Sequence, residues 1–481
     1  MKTYNKFLVV LFLILNSAMF GQGGSVGILD PVSAALGNTY TAHSSGIYAV
    51  GKNPANLVFS QNNNKVEFAT VLPLPNITFL GGTDFISIGE YNYFFGGVEE
   101  NGKTVSRYLN QADKDRLKKL FADGGLVQAD FSIDYLNVVV NLDPKIGSIG
   151  FKWSDNFGFY ADLPAQLSDL ALEGNPAGSV YNFGDSKINA QYLRTYSLTY
   201  AREIPELKQN IFKRISAGIT LNLITGYAMV RSERMNTVLT TAADGSYISA
   251  TGDVLGYAAF SPDFGVQYDF DSTDAHKNMG FAPEPAGSGF GVDIGFAAQL
   301  DDVWSFGLSV TGIGSVTWDK NVAEYSSNKA LVIDDITDQA TRDSLADLIT
   351  GEGKYVDEYS TDLPTALHIG ATYQLDKAPY IKSFPGTLLI AFDYNQGFND
   401  EARNSKKPRF SLGFEWRPWK IFPIRTGFSA GGRDNSVSWS FGTGVDWNVF
   451  EFSFAAYNFG SLMQANDATK ISVAFGSRWR L

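Results

Sequence analysis

Residues 437–447, Val-Ser-Trp-Ser-Phe-Gly-Thr-Gly-Val-Asp-Trp, carry a large or β-branched side chain at every odd position and Ser, Gly or Asp at every even one. A period of two is a strand with one apolar face and one small polar face. The same alternation runs through residues 290–296, 304–310, 367–375, 388–394, 410–416, 424–430, 450–456 and 471–481. Before residue 288 it is less regular. Residues 215–223 keep it best, and 66–72, 136–142, 147–153 and 192–202 follow more loosely. With one or two strands between 229 and 270, the chain holds about fourteen.

Two architectures use many alternating strands. In a soluble sandwich the apolar faces meet each other and strands run about five or six residues. In an outer-membrane barrel the apolar face meets lipid, strands run about nine to eleven residues, and aromatics gather near both ends. Here the strands are long, Trp439 and Trp447 sit toward strand ends, and the second face is Ser, Gly, Thr, Asp and Arg, as a lumen requires. Only closure leaves no unpaired backbone in lipid. The expectation is an all-β fold, a transmembrane antiparallel barrel of about 14 strands. Charged residues at 18% and aromatics at 14% fit aromatic-rich strands better than an ordinary soluble surface.

The first residues carry an address. Lys2 and Lys6 precede the apolar run 7–15, and small and polar residues follow. That pattern reads as a secretory signal peptide cleaved between Ala18 and Gln22, although no site there fits the small-residue rule cleanly. A membrane anchor is the alternative, but the run is short for a span. Domains are therefore expected as a signal peptide at 1–21, an N-terminal segment at 22–62 and a barrel at 63–481, in the outer membrane of a Gram-negative cell. Loss of Lys2 and Lys6 leaves 36 basic against 50 acidic residues, a balance of −14. Such a chain does not bind nucleic acid by charge.

Connections alternate in length. Turns at 301–303 and 446–448 are tight, whereas 396–407, 317–365 and 460–470 are long. Short turns belong inside the cell envelope and long loops outside. Residues 111–124, 161–174 and 337–351 read as short loop helices with one apolar face each. They either pack on the rim or bind a partner.

Catalytic chemistry has no support. The absence of cysteine removes disulfides, thiolate metal sites and a cysteine nucleophile. Gly427-Phe428-Ser429-Ala430-Gly431 fits a nucleophile-elbow pattern but lies in an alternating strand, where no sharp strand-to-helix turn exists. His43, His276 and His368 have no metal-ligand spacing, and His368 falls on a lumen face. Asp269, Asp271 and Asp274 beside His276 read as a solvated loop or a weak calcium site. No enzyme activity, cofactor or metal is expected.

That leaves residues 34–57, AALGNTYTAHSSGIYAVGKNPANL, too polar for a membrane helix and too irregular for an amphipathic one. Ala34, Ala35, Gly37, Ala42, Gly46 and Ala49 allow close approach to a wall. Asn53 followed by Pro54 is a helix start, cap then first position. Lying before the first strand, the segment is either a plug folded into the lumen or a disordered leader. It resembles the N-terminal signature of the long-chain fatty-acid transporter (FadL-like) outer-membrane barrels. That superfamily includes scaffold and shuttle barrels of type IX secretion. The matching positions are Ala35, Leu36, Gly37, Thr41, Ala42, Asn53, Pro54, Ala55 and Leu57. Asn56 stands where glycine is usual, and Ser44-Ser45 where acids are usual. The resemblance implies an N-terminal hatch inside a fourteen-stranded barrel, with Gly37, Thr41, Ala42, Asn53, Pro54, Ala55 and Leu57 as its motif.

Two functions stay open. One is a plugged transporter or channel for hydrophobic or amphipathic small molecules. The other is a structural barrel that scaffolds a secretion or surface-assembly complex. Partners are then outer-membrane lipid with either small apolar molecules or other outer-membrane proteins.

Overall fold

The computed structural model describes residues 30–59, 64–100, 102–143, 145–205, 211–268, 280–333, 341, 344, 348, 351–433 and 437–481. The expected signal peptide, the acidic cluster 269–276 and most of the expected helix 337–351 lie outside these residues.

Among the described residues one antiparallel sheet closes on itself as fourteen strands. Strand β1 comes in two pieces, Val66–Thr70 and Asn76–Thr83, separated around Pro73 and Pro75 because proline has no N–H for a ladder. Next come β2 Gly125–Asn141, β3 Ser148–Leu163, β4 Lys187–Glu203 and β5 Arg214–Thr241. Strand β6 joins Ile248–Phe260 to Gly287–Gln299, and β7 joins Trp304–Trp318 to Val322–Ile333. Strand β8 joins Glu352–Tyr355, Tyr359–Asp362 and Ala366–Gln374. The circuit continues with β9 Thr387–Gly397, β10 Arg409–Trp419, β11 Phe422–Gly431, β12 Val437–Asp446, β13 Phe450–Ala456 and β14 Lys470–Arg480. It closes where β1 pairs with β14, Glu67 opposite Arg480 and Ile77 opposite Phe475.

The faces invert the pattern of a soluble protein. Phe296, Leu308, Ile369, Phe392, Phe410 and Phe428 point outward and are exposed, whereas Ser309, His368, Asp393, Ser411 and Ser429 point inward and are buried. A belt of exposed large apolar residues around a closed sheet is stable only against hydrocarbon. No helix among the described residues is long and apolar enough to cross a membrane, a test that says nothing of strands. The fold is an outer-membrane β-barrel.

Irregular alternation in the first half has a local cause. Bulges at Tyr135 in β2 and at Tyr227 in β5 each add one residue that has no ladder partner, so the faces exchange partway along each of these two strands. Strand β5 also outruns β4. Asn189 pairs Arg231, yet β5 continues to Thr241, and these ten further residues extend about 30 Å at a strand's rise. With the first pieces of β6 and the second of β7 they form a tongue beyond the rim.

The loops carry short helices. Helix α1 is Gln111–Leu120, started by a capping box between Asn110 and Asp113. The expected helix 161–174 is shorter, because residues 161–163 still belong to β3 and helix α2 spans only Gln166–Glu173.

The turn 301–303 and the turn expected at 446–448, found one residue later because Asp446 ends β12, lie at the end that bears the start of β1 and the end of β14. The loops after β9 and β13 lie at the other end, as expected, whereas the expected loop 317–365 is largely strand: it contains the second piece of β7 and the first two pieces of β8. Loop 398–408 differs in one respect. It leaves the correct end but folds back into the lumen, where Glu401, Ala402, Asn404 and Ser405 are each 2% exposed. In a ring of fourteen, β9 and β10 face β2 and β3. The loop crosses that width: Arg403 Nη1 donates to Asn156 Oδ1 at 2.6 Å, and Tyr160 donates to the Asp400 carbonyl at 2.8 Å. Its charges suggested solvent, but their partners wait on the opposite wall.

Two predictions follow from the faces and ends. Leu308→Lys, at the lipid face, should cost about 2–4 kcal/mol in a folding titration into vesicles. A membrane-impermeant maleimide should label Lys406→Cys but not Asp302→Cys in intact cells. No native cysteine interferes, and the reverse labelling would invert the orientation.

Candidate functional site

The lumen holds the N-terminal segment 30–59. It contains a short helix Pro31–Ala35 and two 3-10 turns, Gly46–Ala49 and Pro54–Phe59. Asp30 caps the first, its carboxylate accepting from Val32 N at 2.8 Å and Ser33 N at 3.0 Å. The same carboxylate is paired with Lys52, which also donates to Ser33 Oγ at 2.7 Å, so the segment is clipped to itself. Burial, with Lys152 close by, pushes the Lys52 pKa well below the usual lysine value.

These thirty residues reach every strand. Ile47 N donates to Glu67 of β1 at 3.4 Å, and the Ile47 carbonyl accepts from Asn137 of β2 at 2.9 Å. Ile47, Val50 and Leu57 form one apolar cluster with Ala201 of β4, and Val50 and Leu57 also face Gly150 of β3. Ser216 of β5 donates to the Ala55 carbonyl at 2.9 Å. Ala34 and Ala35 cluster with Ala455 of β13, and the Ser45 carbonyl lies 3.5 Å from Arg478 of β14.

From β5 to β12 the contact is through glycine. Gly218, Gly295, Gly307, Gly370, Gly413, Gly427 and Gly442 all face inward, and a Cβ on any of them would strike the segment. At Gly218 it would lie 2.5 Å from the Pro54 carbonyl carbon, and at Gly413 2.7 Å from the Leu36 oxygen. At Gly307 and Gly427 it would fall inside the backbones of Thr41 and Gly37. The glycines are also paired across the ladder, Gly218 with Gly295, Gly307 with Gly370, and Gly413 with Gly427. The segment returns the fit at Gly37, where φ is +69° and a Cβ would meet the Phe428 backbone.

Strand β9 breaks the belt with Asp393. One of its carboxylate oxygens accepts from Tyr40 N and Thr41 N at 2.9 Å each and from Thr41 Oγ1 at 2.6 Å. Beside it Tyr40 Oη lies 3.1 Å from His368, which bonds Asn395 at 2.6 Å and Thr311 at 2.9 Å. His368 is thus a lumen residue that helps seat the segment.

The expected motif residues converge here. Gly37 sits on β11 and Thr41 on Asp393, while Ala42 is buried between β7 and β8. Asn53 accepts from Ala55 N at 3.1 Å, opening a 3-10 turn of six residues rather than an α-helix. Its amide donates to the Thr41 carbonyl at 2.9 Å and to Phe296 of β6 at 3.1 Å. Pro54 and Ala55 lie on Gly218, and Leu57 is buried in the β3–β4 cluster. The glycine belt and Asp393 were missed. Their only sequence signal is a glycine on the inward face of successive strands.

Beneath the segment, toward the end that bears both chain ends of the barrel, lies a cavity of 1130 Å³ lined by His43, Tyr48, Lys52, Gln299, Thr372 and Glu415 among others. Its wall carries a closed charge network. Glu415 accepts from Arg417 at 2.7 Å and Arg425 at 2.5 Å, and Asp446 from Arg417 at 3.0 Å and Arg480 at 2.7 Å. Glu451 accepts from Arg478 at 3.0 Å and Arg480 at 2.5 Å. Glu67 lies 3.5 Å from Arg478. Four arginines face four carboxylates, so burial leaves no net charge. Arg478 and Arg480 line the interior at its edge, as expected. Ser429 lies in β11 and its hydroxyl meets Tyr457 at 2.5 Å, within a strand and away from any helix start.

The belt makes a quantitative prediction. Gly427→Ala should overpack the wall and cost about 1–3 kcal/mol. Gly460→Ala, whose Cβ meets nothing within 4 Å among the described residues, should be silent. Thermal denaturation in detergent, with proteolysis of the N-terminal segment, separates the two.

A family model described as "Family of unknown function (DUF5723)" matches residues 59–456. No curated protein matches the chain. Among solved structures, the toluene transporter TbuX of Ralstonia pickettii is similar at 11% identity and TM-score 0.45, over 95% of this chain and 99% of that one. The toluene transporter TodX of Pseudomonas putida is similar at 10% and 0.43, over 96% and 99%. A Pseudomonas aeruginosa FadL homologue is similar at 9% and 0.42, over 95% and 99%. That homologue bears the name of the family whose signature residues 34–57 resemble.

Proposed function

We propose, from the premise that this chain belongs to the family of unknown function DUF5723, that it is a gated passage for small apolar or amphipathic molecules, with residues 22–62 as its hatch. In this reading residues 1–21 direct export and are removed, and 63–481 form the barrel in the outer membrane. The observation that carries the reading is the way segment 30–59 is held. It touches all fourteen strands, yet on half of them the contact is packing against an inward glycine, which has no direction. The directional ties gather at a few groups, Asp393 foremost. Hydrogen bonds to a charged acceptor are worth about 1.5–3 kcal/mol each. A hatch fastened at a few points can shift without dismantling the wall. The cavity of 1130 Å³ beneath gives it and a solute somewhere to go. A molecule entering from outside would first have to displace loop 398–408.

The test is single-channel conductance in planar bilayers. The intact chain should stay closed. Deleting 34–57 alone should give small or rare openings, because loop 398–408 still crosses the lumen. Deleting 34–57 and replacing 398–408 with a short Gly-Ser turn should give a large, steady conductance. A folded double variant that stays closed would sink the reading. In the full chain, Asp393→Ala should add brief openings.

Closure at two levels, with a tongue standing past the rim, favours a second reading: a sealed structural barrel that holds other outer-membrane or secretion proteins. Purification from native membranes distinguishes them. A protein partner in fixed ratio supports the scaffold, and bound small apolar molecules support the passage.

A further inference from the structure

We propose that Asn189, Gln191 and Arg231 form a carboxylate receptor at the outer mouth of the lumen, and that Glu401 of the chain's own loop 398–408 occupies it. The ligand it would take is a small carboxylate with a hydrogen-bond donor, hydroxyl or ammonium, on the adjacent carbon. The inference goes beyond gated passage and does not depend on it.

The donors belong to the wall. Asn189 and Gln191 stand two residues apart on the inward face of β4, and Arg231 of β5 is the direct ladder partner of Asn189. Glu401 accepts from Asn189 Nδ2 at 3.3 Å, from Gln191 Nε2 at 3.1 Å and from Arg231. Glu233 holds Arg231 from the other side at 2.6 Å, so the guanidinium keeps its place whether or not the loop is present. Strand residues set in a ladder form a rigid, preorganised site; the acceptor rides on a loop. With the loop in place Asn189, Gln191 and Glu401 are 4%, 4% and 2% exposed, and Arg231 is a quarter exposed, so the site is reached from its Arg231 side.

A second observation narrows the ligand. Asn189 Oδ1 is buried with no hydrogen-bond partner among the described residues. Rotating the amide would turn that oxygen toward the Glu401 carboxylate, which can only accept, so the assignment is fixed by its neighbour. Glu401 carries no donor to offer. A buried acceptor beside an occupied carboxylate site asks for a ligand that brings one, which a 2-hydroxy or 2-amino acid does. Such a ligand satisfies the same three donors and the orphan acceptor as well. Its binding and loop insertion exclude each other.

The test uses the full chain in detergent, with folding checked by heat-modifiable gel mobility. Binding is measured for 2-hydroxybutyrate, 2-aminobutyrate, butyrate and butyramide by ligand-observed NMR. In Glu401→Ala, at least one of the two donor-bearing acids should bind tenfold or more tighter than butyrate, and butyramide should not bind. Wild type should bind the same acid at least tenfold more weakly, because Glu401 competes. Adding Arg231→Gln to Glu401→Ala should abolish binding. Glu401→Gln, which keeps the side-chain shape, should lie between wild type and Glu401→Ala and serves if the alanine variant does not fold. Equal binding in wild type and both Glu401 variants, binding of butyramide, or indifference to Arg231→Gln would overturn the receptor. Butyrate equal to both donor-bearing acids would overturn the ligand class. Conductance plays no part in these measurements, so the fate of the gated-passage reading leaves them unaffected.

Discussion

Contact without side chains is what the rest of the molecule depends on. A peptide backbone approaches a sheet this closely only where the sheet offers no Cβ, and seven inward glycines on β5 to β12 provide that surface. Glycine weakens a strand, because it adds backbone entropy and supplies nothing to pack. The outward neighbours compensate. Phe296 follows Gly295, Phe306 precedes Gly307, Ile369 precedes Gly370, and Phe428 follows Gly427. The outer face supplies the β-preferring bulk that the inner face gives up. One residue in two answers to lipid and the other to the segment.

The lumen is closed twice, by different physics. Segment 30–59 is held mainly by dry packing and by hydrogen bonds that water does not reach. Loop 398–408 is held by charges: Glu401 on Arg231, Arg403 within 3.9 Å of Asp130, and Arg433 within 3.6 Å of Asp400. Arg231 is a quarter exposed and Asp400 about a third, so dissolved salt reaches the upper closure in a way it does not reach the lower one. The buried network around Glu451 belongs with the lower closure. Removing one arginine there would strand a carboxylate in a dry site, a loss of about 3–5 kcal/mol.

Much of this architecture is legible in the chain. Period-two alternation located β9 to β14 closely, because few bulges interrupt them, but it found only the start of β7, whose second piece Val322–Ile333 falls in what read as a long loop. Before residue 288 it weakened where bulges at Tyr135 and Tyr227 exchanged the faces, and a period count cannot follow an exchange. The motif from Gly37 to Leu57 was visible from its small residues and its Asn-Pro start. Asp393 was not, since an aspartate on a lumen face looks the same whether it faces water or two backbone amides. Loop 398–408 was misjudged for the same reason. Glu401 and Arg403 announce charge, and only the tertiary fold says that their counter-charges sit across the barrel.

The reach of segment 30–59 to both β1 and β14 has a consequence for assembly. The segment precedes every strand in the chain, yet its seat is finished only when the last strand arrives with Gly476 and Arg478. It must therefore wait, unseated, while some four hundred residues find their register. A bulky apolar plug would spend that interval collecting on other exposed chains. Ala, Gly, Ser, Thr and Asn, which fill most of residues 34–46, can wait in water without harm and still pack without gaps once the ring has closed.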